Sequence, residues 1–222
     1  MRLHFQGRGT YSIRLHLVSK LVALTHRLGA RAEGMAYLAA YIFLLRVPSE
    51  CLPMIRGGAG VVLAKHKSVI SCESGEVILH LAWRKNSNRP VRLTRACWCD
   101  HDKATCPFHV FWHFCLTRPV GAAIFPAMTA GGTLHALRER LSVLRVPAAA
   151  DYGTQDFRRG HARDLQASGS DVATILAAGG WRSAAFLAYL DTVELEKDAV
   201  IEAHLGESSD EESTIVDIIE IE

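Results

Sequence analysis

A chain of 222 residues, 49% hydrophobic and 22% charged, has room for one large domain or two small ones and excludes collagen-like and wholly disordered chains. Its formal charge of +2 is unevenly divided, because Glu207, Asp210, Glu211, Glu212, Asp217, Glu220 and Glu222 crowd a C-terminal stretch that holds no Lys or Arg. Without those seven acids the chain has 25 basic residues against 16 acidic ones, a body of +9 that attracts phosphate polymers over a Debye length of about 8–10 Å.

In chain order, Leu15, Val18, Leu21, Val22 and Leu24 to Leu28 form an apolar stripe at helical spacing, and Met35, Leu38, Ala39, Ile42, Phe43 and Leu45 form a second after Gly29. Pro48 and Ser49 interrupt it, and proline is tolerated in a first helical turn. The period then changes to that of strands: Ser68 to Cys72, a Glu73-Ser74-Gly75 turn, Val77 to Trp83, and Val91 to Thr94. These predict a three-stranded antiparallel meander. A Cys/His-rich segment follows from Cys97 to Cys115. Helical spacing returns at Thr133 to Leu144, Phe157 to Ser168, Asp171 to Ala178 with Ser170 as cap, Ala184 to Asp191, and Val193 to His204.

Met35 to Leu45, the most apolar stretch, is too short to cross a bilayer, so no membrane partner is expected. The N-terminus lacks an apolar core with a small-residue cleavage site, and the cysteines bunch beside histidines rather than forming a disulfide framework. Both features point to an intracellular protein.

Three separated features call for one explanation. Arg46 is followed by Glu50 in Arg46-Val47-Pro48-Ser49-Glu50. Arg158 and Arg159 lie at the start of a helix in Asp156-Phe157-Arg158-Arg159-Gly160-His161. Gly179-Gly180-Trp181 precedes Tyr189. With Lys85 in the hairpin, the ordered set resembles the catalytic domain of tyrosine recombinases of the phage-integrase type, closest to the versions in fungal Crypton-like mobile elements. The resemblance covers Ser19 to Leu205.

The resemblance implies a mainly α (α+β) fold, a helical catalytic core carrying a small three-stranded antiparallel sheet over residues 1–206, and the acidic composition of 207–222 marks that stretch as a disordered tail. It also implies DNA breaking and rejoining through a 3′-phosphotyrosyl intermediate, with no metal needed at the phosphate. Tyr189 matches the nucleophile and Arg46 and Arg158 the phosphate-holding arginines, whose planar forks suit non-bridging oxygens. Lys85 matches the general acid that protonates the departing 5′-oxygen, and Trp181 a donor beside the tyrosine. Arg84, Arg89, Arg159 and Arg182 supply further contacts to double-stranded DNA, in a nuclear protein that can oligomerise on DNA.

Three departures accompany the matches. Gln155 stands where the family has a titrating His or Lys, and glutamine cannot take a proton. The Arg46-to-Glu50 spacing is one residue longer than the common form. The 45 residues ahead of Arg46 leave no room for the usual N-terminal clamp domain. A non-catalytic, domesticated DNA-binding or chromatin-associated protein keeping the fold is therefore the rival reading. A zinc-stabilised interaction module is a third. His161, one turn after Arg158, reads as a helix-packing histidine.

Cys97-x-Cys99 and Cys106-x-x-His109 offer four zinc ligands, and a filled tetrahedron makes such a site structural. A reduced Cys/His-rich loop packed by Trp98, Phe108, Phe111 and Trp112 is the other reading. In the tail, Ile215, Val216, Ile218 and Ile219 after an acidic serine-rich stretch resemble a SUMO-interacting motif that adds a strand to a partner sheet. The alternative is an unstructured tail that competes with DNA for the basic body.

Overall fold

The computed structural model describes residues 11–64, 66–82, 84, 90–100, 103, 105–181, 187, 189 and 190. Helix α1 (Leu15–Arg27) buries Leu17, Val18, Leu21 and Leu24 along one face. Helix α2 (Arg31–Ile42) is buried at every position from Gly34 to Ile42 and forms the centre of the core. Small residues let its neighbours approach, and at Gly34 a Cβ would strike the Thr25 hydroxyl of α1. Such closeness favours dispersion contacts along the whole helix pair.

The sheet is a correction to the expected meander. Strands β2 (Ser68–Glu73), β3 (Glu76–Leu81) and β4 (Val91–Ala96) pair antiparallel, with Ile70 opposite Leu79 and Leu79 opposite Leu93. A fourth strand, β1 (Met54–Arg56), adds parallel to β2 in the order β1-β2-β3-β4. Three residues are too few for alternation to mark, and β1 is completed from its far side, where Ile124 N–H donates to the Met54 carbonyl at 2.8 Å. The β2–β3 turn has Ser74 at φ 49° and Gly75 at φ 82°, the paired positive angles that a two-residue hairpin turn needs.

The Cys/His-rich segment is not only a loop, because helix α3 (Pro107–Leu116) begins within it. Pro107 at its first position satisfies helix geometry without losing a hydrogen bond. Helices α4 (Ala130–Val143), α5 (Asp156–Ala167) and α6 (Val172–Gly179) follow. The cap of α6 is Asp171 rather than Ser170: its Oδ1 accepts the Thr174 N–H at 2.7 Å. The mixed helix-and-sheet class agrees with expectation, while the helices expected at 184–191 and 193–204 fall largely or wholly outside the described residues. No helix among the described residues is long and apolar enough to cross a membrane.

Asp164 of α5 ties the N-terminal segment to the core. Its Oδ1 accepts from Arg14 Nε at 2.5 Å and its Oδ2 from the Tyr41 hydroxyl of α2 at 2.6 Å. Alongside, Gly160 leaves the room that the Ile13 carbonyl occupies.

Candidate functional site

Local folding brings Arg46 and Glu50 together. Residues Val47–Cys51 form a single π-helical turn in which Leu52 N–H reaches the Val47 carbonyl at 2.9 Å. The wide turn carries Glu50 back to Arg46, and such single π-helical turns are rare. Glu50 Oε2 accepts the Arg46 backbone N–H at 2.8 Å, and Oε1 accepts Arg46 Nη1 at 2.9 Å. Arg46 remains 30% exposed while Glu50 is 1% exposed, so the pair joins solvent to the interior.

Arg84 enters the same carboxylate from the end of the sheet. It is 3% exposed, with Nε 3.8 Å from Glu50 Oε1 and Nη2 donating to the Phe43 carbonyl at 3.2 Å. Foreseen as a DNA contact, it stands instead as a buried member of the cluster. Arg95 of β4, which the sequence reading did not single out, donates to the Ile42 carbonyl at 2.8 Å and lies 5.3 Å over the Phe43 ring.

Arg158 is the second buried cation, also 3% exposed. Nη2 donates to the Gly179 carbonyl at 3.0 Å, and the guanidinium sits 5.1 Å over the Trp181 ring. Trp181 in turn meets Tyr189 with ring centroids 5.3 Å apart. The two glycines ahead of Trp181 have distinct tasks. A Cβ at Gly179 would occupy the space of the indole ring, and Gly180 adopts φ 63° where a Cβ would lie 2.5 Å from Arg84 Nη1.

The electrostatics of this cluster are unbalanced. Burial lowers the Arg158 pKa to about 10, Glu50 counters it, and repulsion from Arg46 and Arg84 adds to the lowering. Two guanidinium groups thus pair with one carboxylate, and a third feels its charge. The Nε atoms of Arg84 and Arg158 are buried with no hydrogen-bond partner among the described residues. An excess of buried positive charge is costly unless an anion offsets it.

Other expected residues are placed differently. Arg159 forms an ion pair with Asp156, donates to the Tyr11 carbonyl at 2.6 Å and lies 5.3 Å over the Tyr189 ring. Gln155 is exposed at the head of α5 and makes no side-chain cap hydrogen bond. His161 packs against α2, its Nδ1–H donating to the Tyr41 carbonyl at 2.8 Å, and burial lowers its pKa to about 4. Lys85, Arg89, Arg182 and the tail residues Ile215, Val216, Ile218 and Ile219 lie outside the described residues.

A second cluster forms where β4 meets α3. Cys97 and Cys99 follow the last residue of β4, Cys106 is the N-cap of α3, and His109 lies three residues on, so Cys106 and His109 share one helical turn. The three Sγ atoms and His109 Nδ1 all lie within 4.8 Å of one another, and the group could hold a metal ion such as zinc. Burial raises the Cys106 thiol, yet N–H donation from His109 and Trp98 outweighs it and brings the pKa to about 6. Cys99 is pushed up to about 12 by burial and by its thiol neighbours. Closely spaced thiols resist joint ionisation, a conflict that a bound cation removes.

A cleft of about 280 Å³ lies between α1, α2 and α3, lined in part by Val22, Thr25, Met35, His109 and Phe114. It contains none of Arg46, Arg84, Arg158 or Tyr189. No protein-family model matches the chain, and no curated protein matches it at a significant level.

Proposed function

We propose that the chain is a tyrosine recombinase catalytic domain that breaks and rejoins double-stranded DNA. The observation that carries this reading is the pairing of Arg46 and Arg84 with Glu50, with Arg158 in the field of the same carboxylate and its guanidinium over Trp181, whose ring tilts against Tyr189. An unbalanced positive cluster next to a tyrosine suits a phosphodiester, whose charge offsets the excess and whose phosphorus a phenolate attacks.

In this reaction the Tyr189 oxygen bonds to phosphorus and the P–O5′ bond breaks, leaving a 3′-phosphotyrosyl link and a free 5′-hydroxyl. The 5′-oxygen takes its proton from Lys85. The phenol proton passes to water, because Gln155 cannot accept it and His161 is a weak base committed to the Tyr41 carbonyl. The arginines hold the phosphate oxygens through both steps, and attack by a 5′-hydroxyl reverses the link. The Cys97, Cys99, Cys106 and His109 cluster has a structural part in this reading, with zinc as the metal, and takes no step of the reaction. A nuclear location, assembly of copies on DNA and a SUMO-like partner for the tail belong to the same proposal.

The decisive experiment presents duplex DNA carrying a nick close to the cleavage point, so that the short released strand diffuses away and the covalent product accumulates. The expected result is a protein–DNA adduct that disappears in Tyr189→Phe. A second reading, a DNA-binding protein that has lost the reaction, is favoured by the untitratable Gln155 and by Arg159 covering the Tyr189 ring. Salt-sensitive binding with no adduct on any substrate selects that second reading.

A further inference from the structure

The distances within the Cys/His cluster are those of a particular coordination sphere. Zinc bonds of about 2.3 Å to sulfur and 2.0–2.1 Å to nitrogen place tetrahedral ligands about 3.8 Å apart for S···S pairs and about 3.6 Å for S···N pairs. Here Cys97 Sγ lies 3.4 Å from Cys99 Sγ and 3.6 Å from Cys106 Sγ. His109 Nδ1 is 3.6, 2.9 and 3.4 Å from the sulfurs of Cys97, Cys99 and Cys106. A disulfide needs sulfurs about 2.05 Å apart, and all three cysteines are free thiols. Soft thiolates with one imidazole select zinc over the oxygen-seeking magnesium and calcium.

The position of the cluster gives the metal a task. Two ligands leave the end of β4 and two sit on the first turn of α3, whose positive helix end also favours thiolates. Helix α3 packs across β2, β3, β4 and α2. From it the buried Phe111 meets Phe43 edge-on at 6.2 Å, and the Phe43 carbonyl receives Arg84. Arg95, two residues before Cys97, also lies over the Phe43 ring and donates to the Ile42 carbonyl.

We propose that Cys97, Cys99, Cys106 and His109 bind one Zn²⁺ in a closed tetrahedron that clamps α3 to β4, and that this clamp supports the Phe111–Phe43–Arg84 contact beneath the arginine cluster. The inference deepens the structural role given to the cluster above and does not depend on any reaction at Tyr189. All four positions are filled by protein, so the metal has no open site for substrate.

The test uses the full-length chain purified without chelator. Elemental analysis is expected to find one zinc per chain, and cobalt(II) exchanged into the site is expected to show tetrahedral d–d absorption with a thiolate charge-transfer band. Cys106→Ser is expected to weaken zinc binding at least 100-fold, whereas Cys72→Ser, outside the cluster, keeps full stoichiometry. Because Cys106→Ser can also unfold the chain, zinc affinity is measured on the wild type by chelator competition, and binding weaker than micromolar overturns the site. Hydrogen exchange before and after zinc removal tests the clamp: faster exchange in α3 and in residues 43–46 is expected, and unchanged exchange there overturns the supporting role while leaving the metal count to stand alone.

Discussion

The guanidinium of Arg158 lies 5.1 Å over the indole of Trp181 while donating to the Gly179 carbonyl two residues earlier. One side chain thus grips both the end of α6 and the aromatic ring that leads to Tyr189. A planar guanidinium can lie over the ring and donate from its edge at the same time, and the compact lysine ammonium lacks that fork. Arg158→Lys is expected to slow adduct formation by about 10²- to 10³-fold, the usual cost of losing a charge-stabilising donor, with little change in the salt dependence of DNA binding. Equal adduct rates in the two proteins would remove Arg158 from the site.

Among the described residues Glu50 is the only carboxylate in contact with Arg46 and Arg84, and it is almost completely buried. Replacing it with its neutral isostere leaves Arg84 buried beside Arg46 with backbone carbonyls but, among the described residues, no counter-charge. Glu50→Gln is expected to destabilise the fold by about 3–5 kcal/mol, read as a lower urea midpoint at unchanged slope. Added phosphate or DNA should recover part of that loss if the cluster binds anions. No recovery at saturating DNA would argue against a phosphate in the cluster.

His161 makes stability depend on pH. Its pKa is near 6.5 in the unfolded chain and about 4 when burial against Tyr41 holds it neutral, with Arg95 lowering it further and the Tyr41 carbonyl and Asp164 opposing. The unfolded chain therefore binds the extra proton first. The stabilisation is complete above pH 6.5 and is lost as pH falls towards 4, up to about 3 kcal/mol. The stability difference between wild type and His161→Gln should shrink over that interval, and a difference independent of pH would show that the imidazole is not held neutral.

Two helical glycines give a contrast. Gly179→Ala drives a Cβ into the Trp181 ring and is expected to cost about 1–3 kcal/mol and abolish the adduct. Gly131→Ala in α4 meets open space, and should raise stability by about 0.5–1 kcal/mol because alanine restricts the unfolded chain. Thermal melting of the two variants separates these effects. Destabilisation of equal size in both would mean that helix geometry, rather than the indole, governs Gly179.

The parts legible beforehand were those with a repeating signal. The helical stripes of α1, α4 and α5 and the alternation of β2 and β3 mark these elements to within a few residues of their bounds. Strand β1 was missed because its three residues pair only with segments distant in the chain, Ser68 to Ile70 on one side and the 122–124 stretch on the other. Helix α3 was hidden by its metal-type residues, although Pro107 was a usable start signal. The α6 cap was misplaced by one residue because Ser170 and Asp171 both suit the position, and only the Asp171 bond to Thr174 decides between them.

The sequence by itself determined the chemistry available: a basic body, a Cys/His quartet at compact spacing, and arginines, a tryptophan and a tyrosine in separated boxes. Those are properties of residue type and order. Only the tertiary structure decided which of them meet. Arg84 and Arg159 looked alike as surface cations, yet one is drawn to Glu50 and the Phe43 carbonyl and the other to Asp156 and Tyr11. Burial decides such partners, because a charge removed from water must find its counter-charge or hydrogen-bond acceptor in the chain around it, and that neighbourhood is set by packing across long sequence separations.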